Sequence, residues 1–299
     1  MLNRIRHAHR RAQLVGWGRT VTSAAVRRGM DITQAKALVS AGKVLLRPMA
    51  YLQRRRPRTS LIPREAGHLK LENAPGVSAL IDHCRTLWAA RRDELMRDFK
   101  PPYAQVIVTP ETPQGLVCTP SDFEPILRFI EQPEIQNILT GYLGEVPVVS
   151  NCQLAYTPVN DVTIGPQQFH RDMNHPNQLH LIVLIDDVDE SAGPFTFLPA
   201  SESQALAAKV KHEGGRVSDD LFAGRDLKKC VGTSGTAYFV NAYDCFHCGA
   251  RARGKPRFIL IVNLPSFREA AEGQAALYRT RNRRELDNGS PLRRMLLDL

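Results

Sequence analysis

Two polar pieces that lie far apart in the chain set the strongest constraint on its fold. His170 and Asp172 stand in the run QQFHRD, and His247 follows 75 residues after Asp172 in AYDCFHCGA. In a strand, residues i and i+2 point to the same face, so His170 and Asp172 can reach one point in space. A third group must then come from a distant strand. The β-branched and aromatic residues 236–240 predict such a strand just before His247.

The side chains of these three residues are typical of a metal site. Two neutral imidazoles and one carboxylate can hold one face of an ion and leave the opposite face open, which is the ligand set of non-haem Fe(II) oxygenases. A His-x-Asp pair alone is a weak signal, because hydrogen-bonded pairs of this kind are common at surfaces. The surrounding sequence therefore has to decide.

Several further pieces follow one another in an informative order. They are the strand NCQLAYTP, the run QQFHRD, the strand HLIVLIDDV leading into DESAGPFTFLPAS, the segment GTAYFVNAYDCFHCGA and the strand RFILIVNL. This order, from about Val146 to Pro265, resembles the phytanoyl-CoA dioxygenase-like family of Fe(II)/2-oxoglutarate-dependent oxygenases. The resemblance implies a mainly β fold with flanking helices, in which a double-stranded β-helix, or jelly-roll barrel of the cupin type, holds iron at one mouth.

The resemblance also implies roles for individual residues. His170, Asp172 and His247 match the iron ligands and thus the catalytic centre. Arg257, ten residues after His247 at the head of an apolar strand, matches the residue that binds the distal carboxylate of 2-oxoglutarate. A guanidinium group suits this role because it meets a carboxylate with two hydrogen bonds and stays charged.

Two more residues match contacts of the cosubstrate. Gln153 lies on the strand before QQFHRD, and His180 opens the next apolar strand. His180 faces the barrel interior if it lies on the same face as Ile182 and Leu184. The alternative for His180 is a hydrogen-bonded core histidine.

Other groups near the three residues could also bind a metal. His175 lies in a loop-like stretch, and Cys245 and Cys248 form a C-x-x-C around His247, which is a zinc-binding pattern. Structural zinc needs four ligands, however, and the remaining cysteines are scattered singly. We therefore expect buried, reduced thiols, as in a cytoplasmic protein.

The activity that the resemblance implies uses Fe(II), 2-oxoglutarate and O2. It hydroxylates a C–H bond of a small-molecule metabolite and releases succinate and CO2. The carboxylate of Asp172 favours hydroxylation, since related halogenases carry a small residue at that position. The alternative is a catalytically silent metal-binding jelly-roll protein that acts in recognition. A zinc hydrolase is disfavoured, because no general base or second metal cluster accompanies the three residues.

The charge is divided unevenly along the chain. Residues 1–60 carry 14 basic side chains against one acid, whereas residues 61–299 carry 26 against 29. We therefore predict a basic helical N-terminal segment, 1–60, and an oxygenase domain, 61–299. Within that domain we expect helices in 75–145, the barrel core in 146–265 and a basic helical tail in 266–299. Residues 54–65, with two prolines, are typical of a linker.

The Arg-rich start can be a transit peptide, a contact for an anionic membrane or a nucleic acid, or a solvated helical face. A solvated face or a protein partner comes first among these, an anionic membrane surface comes second, and a nucleic acid is disfavoured. No stretch approaches the ~20 apolar residues of a membrane-spanning helix. We therefore expect a cytoplasmic protein, with peripheral association to a membrane as a second expectation.

Overall fold

Two antiparallel β-sheets form the centre of the structure, a computed structural model that describes residue 30 and residues 32–97, 104–107, 120–172, 176–212, 214–268 and 285–299. The strands are β1 (His68–Leu71), β2 (Ala104–Ile107), β3 (Asn151–Thr157), β4 (Gln178–Leu184), β5 (Phe195–Phe197), β6 (Lys228–Lys229), β7 (Ala237–Val240), β8 (His247–Gly249) and β9 (Arg257–Pro265). The helices are α1 (Ile32–Leu46), α2 (Pro48–Arg54), α3 (Val77–Arg97), α4 (Pro120–Ile130), α5 (Pro133–Leu143), α6 (Ala200–Lys209) and α7 (Pro291–Leu296).

The larger sheet has the strand order β1-β7-β4-β9-β3-β2, and the smaller one has the order β6-β5-β8. β4 and β9 are the central pair, and their register places Ile182 opposite Ile261 and His180 opposite Asn263. Both strands are nearly continuous runs of apolar residues, as expected of strands that are covered on both faces. All residues of β4 are buried.

The two faces of β4 pack against different layers. Leu181 and Val183 belong to an apolar cluster with the helices, whereas Ile182 and Leu184 pack with Phe197 of the smaller sheet. The order of layers is therefore helices, larger sheet, smaller sheet. Side chains on the inner face of the larger sheet point into the space between the two sheets, which we call the inter-sheet space.

The helical layer is formed largely by α3, α4 and α5. The apolar residues that recur along α3 are buried, and among them Trp88 stacks on Tyr156 of β3 with ring centroids 4.7 Å apart. Prolines begin both α4 and α5. α5 ends at Gly144, which has a φ of 76°, a conformation that glycine adopts without steric cost.

The C-terminal helix is joined to α4 by a buried arginine. The guanidinium of Arg293 is fully buried and donates hydrogen bonds to both carboxylate oxygens of Glu131 and of Glu124, at 2.5–3.2 Å. Burial works against its charge, but the hydrogen bonds from Arg293 to the two carboxylates offset that cost and raise the pKa of Arg293. The neighbouring Arg294 is exposed and pairs with Asp287.

Residues before position 60 contact the end of the chain. Asp298 is buried, and Arg47 and Arg54 donate hydrogen bonds to its Oδ1 at 2.8 and 3.3 Å. The backbone nitrogen of Val146 also donates to the carbonyl oxygen of Arg54. These contacts cross the predicted boundary at residue 60, which stays a prediction.

The predicted fold class agrees with the structure at the level of antiparallel sheets with flanking helices. Closure into a jelly-roll barrel stays a prediction. Two local predictions were wrong. The run QQFHRD is not a strand, since His170 forms only isolated bridges, and residues 54–65 are not a loose linker, since Arg54 and Ile62 are buried. Residues 1–29 of the predicted N-terminal segment and residues 269–284 of the predicted basic tail lie outside the described residues.

None of the helices that the structure describes is both long enough and apolar enough to cross a membrane.

Replacing Arg293 by Leu tests the buried ion pair between α7 and α4. Removing one partner of a buried pair costs about 3–5 kcal/mol. We expect about 3 kcal/mol, the lower end, because Glu124 and Glu131 keep some contact with solvent. Denaturant unfolding would measure the loss. Arg294→Leu is the matched control, and we expect it to change stability by less than about 0.5 kcal/mol; equal effects of the two changes would contradict the assignment.

Candidate metal centre

His170, Asp172 and His247 are brought together by backbone hydrogen bonds. The backbone nitrogen of His170 donates to the carbonyl of His247 at 3.0 Å, and that of His247 donates back to His170 at 2.8 Å. Two residues further on, the backbone nitrogen of Asp172 donates to the carbonyl of Ala242 at 2.9 Å. The loop that carries His170 and Asp172 is thus held in register against the segment that leads to β8.

The side chains converge on one point. His170 Nε2 lies 3.7 Å and His247 Nε2 lies 4.0 Å from Asp172 Oδ1. The three ligand atoms all lie within 4.8 Å of one another. The three predicted ligands are therefore close enough to share one ion.

The second nitrogen of each ligand imidazole is held by a backbone carbonyl. His170 Nδ1 lies 2.8 Å from the carbonyl oxygen of Gln168, and His247 Nδ1 lies 3.0 Å from that of Cys245. A carbonyl oxygen only accepts, so in the neutral ring Nδ1 carries the hydrogen and Nε2 presents its lone pair. This is the usual arrangement of a metal-binding histidine.

Burial keeps both rings neutral. Burial and, secondarily, the nearby His247 lower the pKa of His170 to about 4. Burial also lowers the pKa of His247, against the opposing effect of the Asp172 carboxylate. At neutral pH both imidazoles are therefore in the form that binds metal ions.

His180 lies beside the metal ligands on the inner face of β4. It shares that face with Ile182 and Leu184, as the sequence analysis required for an inward position. Its Nε2 is 3.3 Å from Asp172 Oδ2, although the angle departs from hydrogen-bond geometry. Burial lowers the pKa of His180. The structure thus places a neutral imidazole at the carboxylate oxygen that faces away from His247.

Arg257 is buried at the start of β9. Its Nη2 donates to Thr157 Oγ1 at 3.3 Å and its Nη1 to the carbonyl of Ala250 at 3.5 Å, whereas its Nε has no partner. Within the described part of the chain, no carboxylate forms an ion pair with it. Burial lowers the pKa of Arg257 to about 10, so the group stays charged at neutral pH. A buried charge of this kind normally has a counter-ion.

Arg257 faces the same space as the metal ligands. On β9 it has the same parity as Ile259 and Ile261, which line the inter-sheet space. Its guanidinium lies against Gly249, where a Cβ would be 3.1 Å from Nη2. Gly249 is two residues after His247 on β8, so both face the same side of that strand. The missing side chain at position 249 leaves room for the guanidinium group.

Two polar side chains, those of Gln153 and Asn263, lie among the apolar residues on the inner face of the larger sheet. Gln153 of β3 is opposite Ile261, and it is half-buried. Asn263, which the sequence analysis missed, is opposite His180, and its Oδ1 has no partner among the described residues. Counting in steps of two from Arg257 along β9 would have found it.

Two other neighbours were not predicted. The ring of Phe195 stacks on His247 with centroids 5.1 Å apart and an interplanar angle of 17°. Arg216 pairs with His170 across an isolated β-bridge, which puts its side chain on the same face. No sequence pattern marks either residue, because both reach the site through long-range pairing.

The rival ligands do not join the cluster. Cys245 and Cys248 are buried in two different apolar clusters, one with Val240 and the other with Phe246. Burial raises the pKa of each thiol to about 12. No disulfide joins the described cysteines. The two thiols thus behave as the buried small hydrophobes that we expected, and the other rival, His175, lies outside the described residues.

No family model and no curated protein matches this chain. Among solved structures, it is similar to EctD from S. alaskensis in its apo form, with a TM-score of 0.48, 13% identity and coverage of 71% of this chain and 82% of that chain. It is also similar to the non-heme alpha ketoglutarate dependent carbocyclase SnoK from nogalamycin biosynthesis, with a TM-score of 0.48, 14% identity and coverage of 68% of this chain and 81% of that chain. A third similar structure is HygX from Streptomyces hygroscopicus with nickel and 2-oxoglutarate bound, with a TM-score of 0.47, 13% identity and coverage of 68% of this chain and 84% of that chain. Because these TM-scores are below 0.5, the similarity assigns no function to this chain.

Replacing His247 by Ala tests the ligand set. We expect the affinity for Fe(II) to fall by more than ~100-fold, because the loss of an outer partner of a ligand alone costs 10- to 100-fold. Anaerobic calorimetric titration would measure it. His83→Ala is the control, since His83 lies on α3 and hydrogen-bonds the carbonyl of Asp122. Unchanged affinity in the His247 variant would show that another histidine, such as His175 or His180, binds the ion.

Proposed function

We propose that this chain is an Fe(II)/2-oxoglutarate-dependent dioxygenase that hydroxylates a C–H bond of a small-molecule metabolite and releases succinate and CO2. One observation carries the proposal. Three ligand atoms of the right type converge beside a buried arginine that has no carboxylate partner among the described residues, and both face the inter-sheet space. A metal ion and a dicarboxylate would complement these groups in charge and donor type.

The donor set suits Fe(II). Two imidazole nitrogens and one carboxylate oxygen leave coordination positions open for a cosubstrate and dioxygen, whereas softer, thiolate-rich sites favour other metals. Bound iron would supply the oxidation chemistry that couples dioxygen to the decarboxylation of 2-oxoglutarate. His170, Asp172 and His247 would hold it, with each Nε2 already turned toward Asp172 by its carbonyl partner.

Arg257 would bind the distal carboxylate of 2-oxoglutarate. An arginine without a counter-ion in a dry interior is costly, and a carboxylate from the cosubstrate would remove most of that cost. The hydroxyl of Thr157, next to Nη2, can donate a further hydrogen bond to the same carboxylate. Gly249 keeps the approach open, because any side chain there would contact the guanidinium.

The surrounding side chains would position these groups. His180, at Asp172 Oδ2, limits rotation of the carboxylate so that Oδ1 faces the two ligand histidines. Phe195 covers one face of His247 and excludes water from it. Gln153 lies on the inner face and is proposed as a further cosubstrate contact. Such pre-organised positioning is the protein's main contribution to cofactor chemistry.

The catalytically silent alternative predicts the same iron binding but no turnover. It gives no reason for a buried Arg257 without a carboxylate partner, which favours the enzyme. A zinc hydrolase is also less well supported, since His170, Asp172 and His247 have no second cluster of potential metal ligands beside them among the described residues. We further propose that residues 61–299 carry the activity and that the enzyme acts in the cytoplasm, where thiols stay reduced.

Arg257→Ala tests the cosubstrate site. Loss of a buried charged pair costs about 3–5 kcal/mol, so we expect the Kd for 2-oxoglutarate to rise by roughly two to four decades, with Fe(II) affinity unchanged. Anaerobic titration of the iron-loaded protein would give both values. Arg251→Ala is the control, because Arg251 pairs with Asp219. A normal Kd in the Arg257 variant would move the role to Arg251 or Arg253.

Succinate release tests the activity itself. We expect the iron-loaded protein to release succinate from 2-oxoglutarate in air, and a substrate in a metabolite panel to raise the rate above the uncoupled level. Asp172→Ala should abolish the release, because the carboxylate balances the charge of the ion and fixes its position. Tight binding of Fe(II) and 2-oxoglutarate without any succinate release would support the silent alternative instead.

A further inference from the structure

The helices α1 and α2 bury Ala35, Val39 and charged side chains, and they expose several large apolar side chains. On their inner side, Lys43 and Arg54 are buried against the end of the chain. Both pair with Asp298, and both lie over the ring of Phe267, with the charged group 4.1 and 4.5 Å from its centroid. Asp298 thus offsets part of the positive charge of this side inside the molecule.

The outer side of the same helices is apolar. The large hydrophobic side chains that it exposes have 50–79% of their surface accessible, and they are Leu38, Leu45, Leu46, Met49 and Leu52. We call this set the outer face. Single exposed hydrophobic residues are ordinary, but five within 15 residues are a local concentration of the kind that marks an interaction site.

A basic rim follows the outer face along the chain. Arg55, Arg56 and Arg58 come directly after α2 and are exposed. None of the three forms an ion pair with a carboxylate of the described residues. No acidic residue occurs between Asp31 and Glu65. The outer face is therefore bordered by uncompensated positive charge.

We infer that the outer face binds an anionic membrane surface. Apolar side chains next to exposed arginines are the combination that binds such surfaces, with the hydrophobic groups at the acyl boundary and the cations at the headgroups. Charge complementarity favours lipid over a second copy of this chain. A symmetric dimer through this face would place the arginine rims of both copies near each other, and like charges repel. The inference goes beyond the proposed activity and does not depend on it.

The inner contacts make the outer face a firm attachment point. Arg47 and Arg54 donate hydrogen bonds to Asp298, which is two residues past α7. α1 and α2 are therefore joined to the residues that follow α7 by these hydrogen bonds, and to Val146 by the bond from its backbone nitrogen to the carbonyl of Arg54. Binding at the outer face would attach the whole protein and not a loose arm.

Vesicle sedimentation with the full chain tests the inference. We expect binding to vesicles of phosphatidylserine and phosphatidylcholine, and much weaker binding to phosphatidylcholine alone. Leu45→Ser, Met49→Ser and Leu52→Ser combined should lower the partition coefficient by ~100-fold or more, since binding scales with the buried apolar area. Arg55→Gln with Arg56→Gln should lower it by roughly tenfold or more, and added salt should act in the same direction.

The matched control replaces exposed hydrophobic residues elsewhere. Val159→Ser with Ile164→Ser changes two side chains of similar exposure outside α1 and α2, and binding should stay as in the parent protein. A Leu52→Trp variant keeps the outer face apolar and gives a direct readout. Its added fluorescence should be quenched by brominated lipid, whereas that of Ile164→Trp should not.

Three results would overturn the inference. The first is equal binding of the parent protein to anionic and neutral vesicles, or none to either. The second is a parent dimer that the triple serine variant converts to a monomer, which would show a second copy on this face. The third is a loss of thermal stability in the triple variant without vesicle binding by the parent or by Leu52→Trp, which would show that the chain itself covers the face. Iron binding, measured in parallel, reports on the proposed activity separately.

Discussion

The reciprocal pair of backbone hydrogen bonds between His170 and His247 is the interaction on which the site depends. It joins a loop to β8 and fixes two imidazoles next to each other without using their side chains. The imidazole rings are oriented by other carbonyl groups, those of Gln168 and Cys245. Asp172 is held beside them by the hydrogen bond from its backbone nitrogen to the carbonyl of Ala242. The proximity of the three candidate ligands therefore follows from backbone pairing.

Arg257 adds the second constraint, because its charge is buried at the other end of the same space. Desolvation lowers its pKa to about 10 but does not remove the charge at neutral pH. The larger sheet tolerates it through Thr157 and the carbonyl of Ala250, which offer dipoles in place of a counter-ion. The inter-sheet space therefore holds one buried positive charge and two neutral imidazoles.

The sequence predicted the parts of this arrangement that depend on local patterns. The family resemblance and the spacing from His247 singled out Arg257 at the head of the strand RFILIVNL, and the ligand types of His170, Asp172 and His247 predicted the cluster. The sequence could not predict the contact between the rings of Phe195 and His247, because that contact arises from the register between β5 and β8. Residues 54–65 were wrongly predicted as a linker. The burial of Arg54 could not be predicted locally, because its partner Asp298 lies 244 residues further along the chain.

The two cysteines that flank His247 have a consequence for the lifetime of the protein. Thiolates, and not thiols, react readily with peroxide and other oxidants, and burial that raises both pKa values to about 12 leaves almost no thiolate at neutral pH. The activity that we propose uses dioxygen, so resistance of nearby thiols to oxidation would protect the site. The candidate ligand His247 thus lies between Cys245 and Cys248 in the sequence. Both thiols stay protonated, so they are weak metal ligands and react slowly with oxidants.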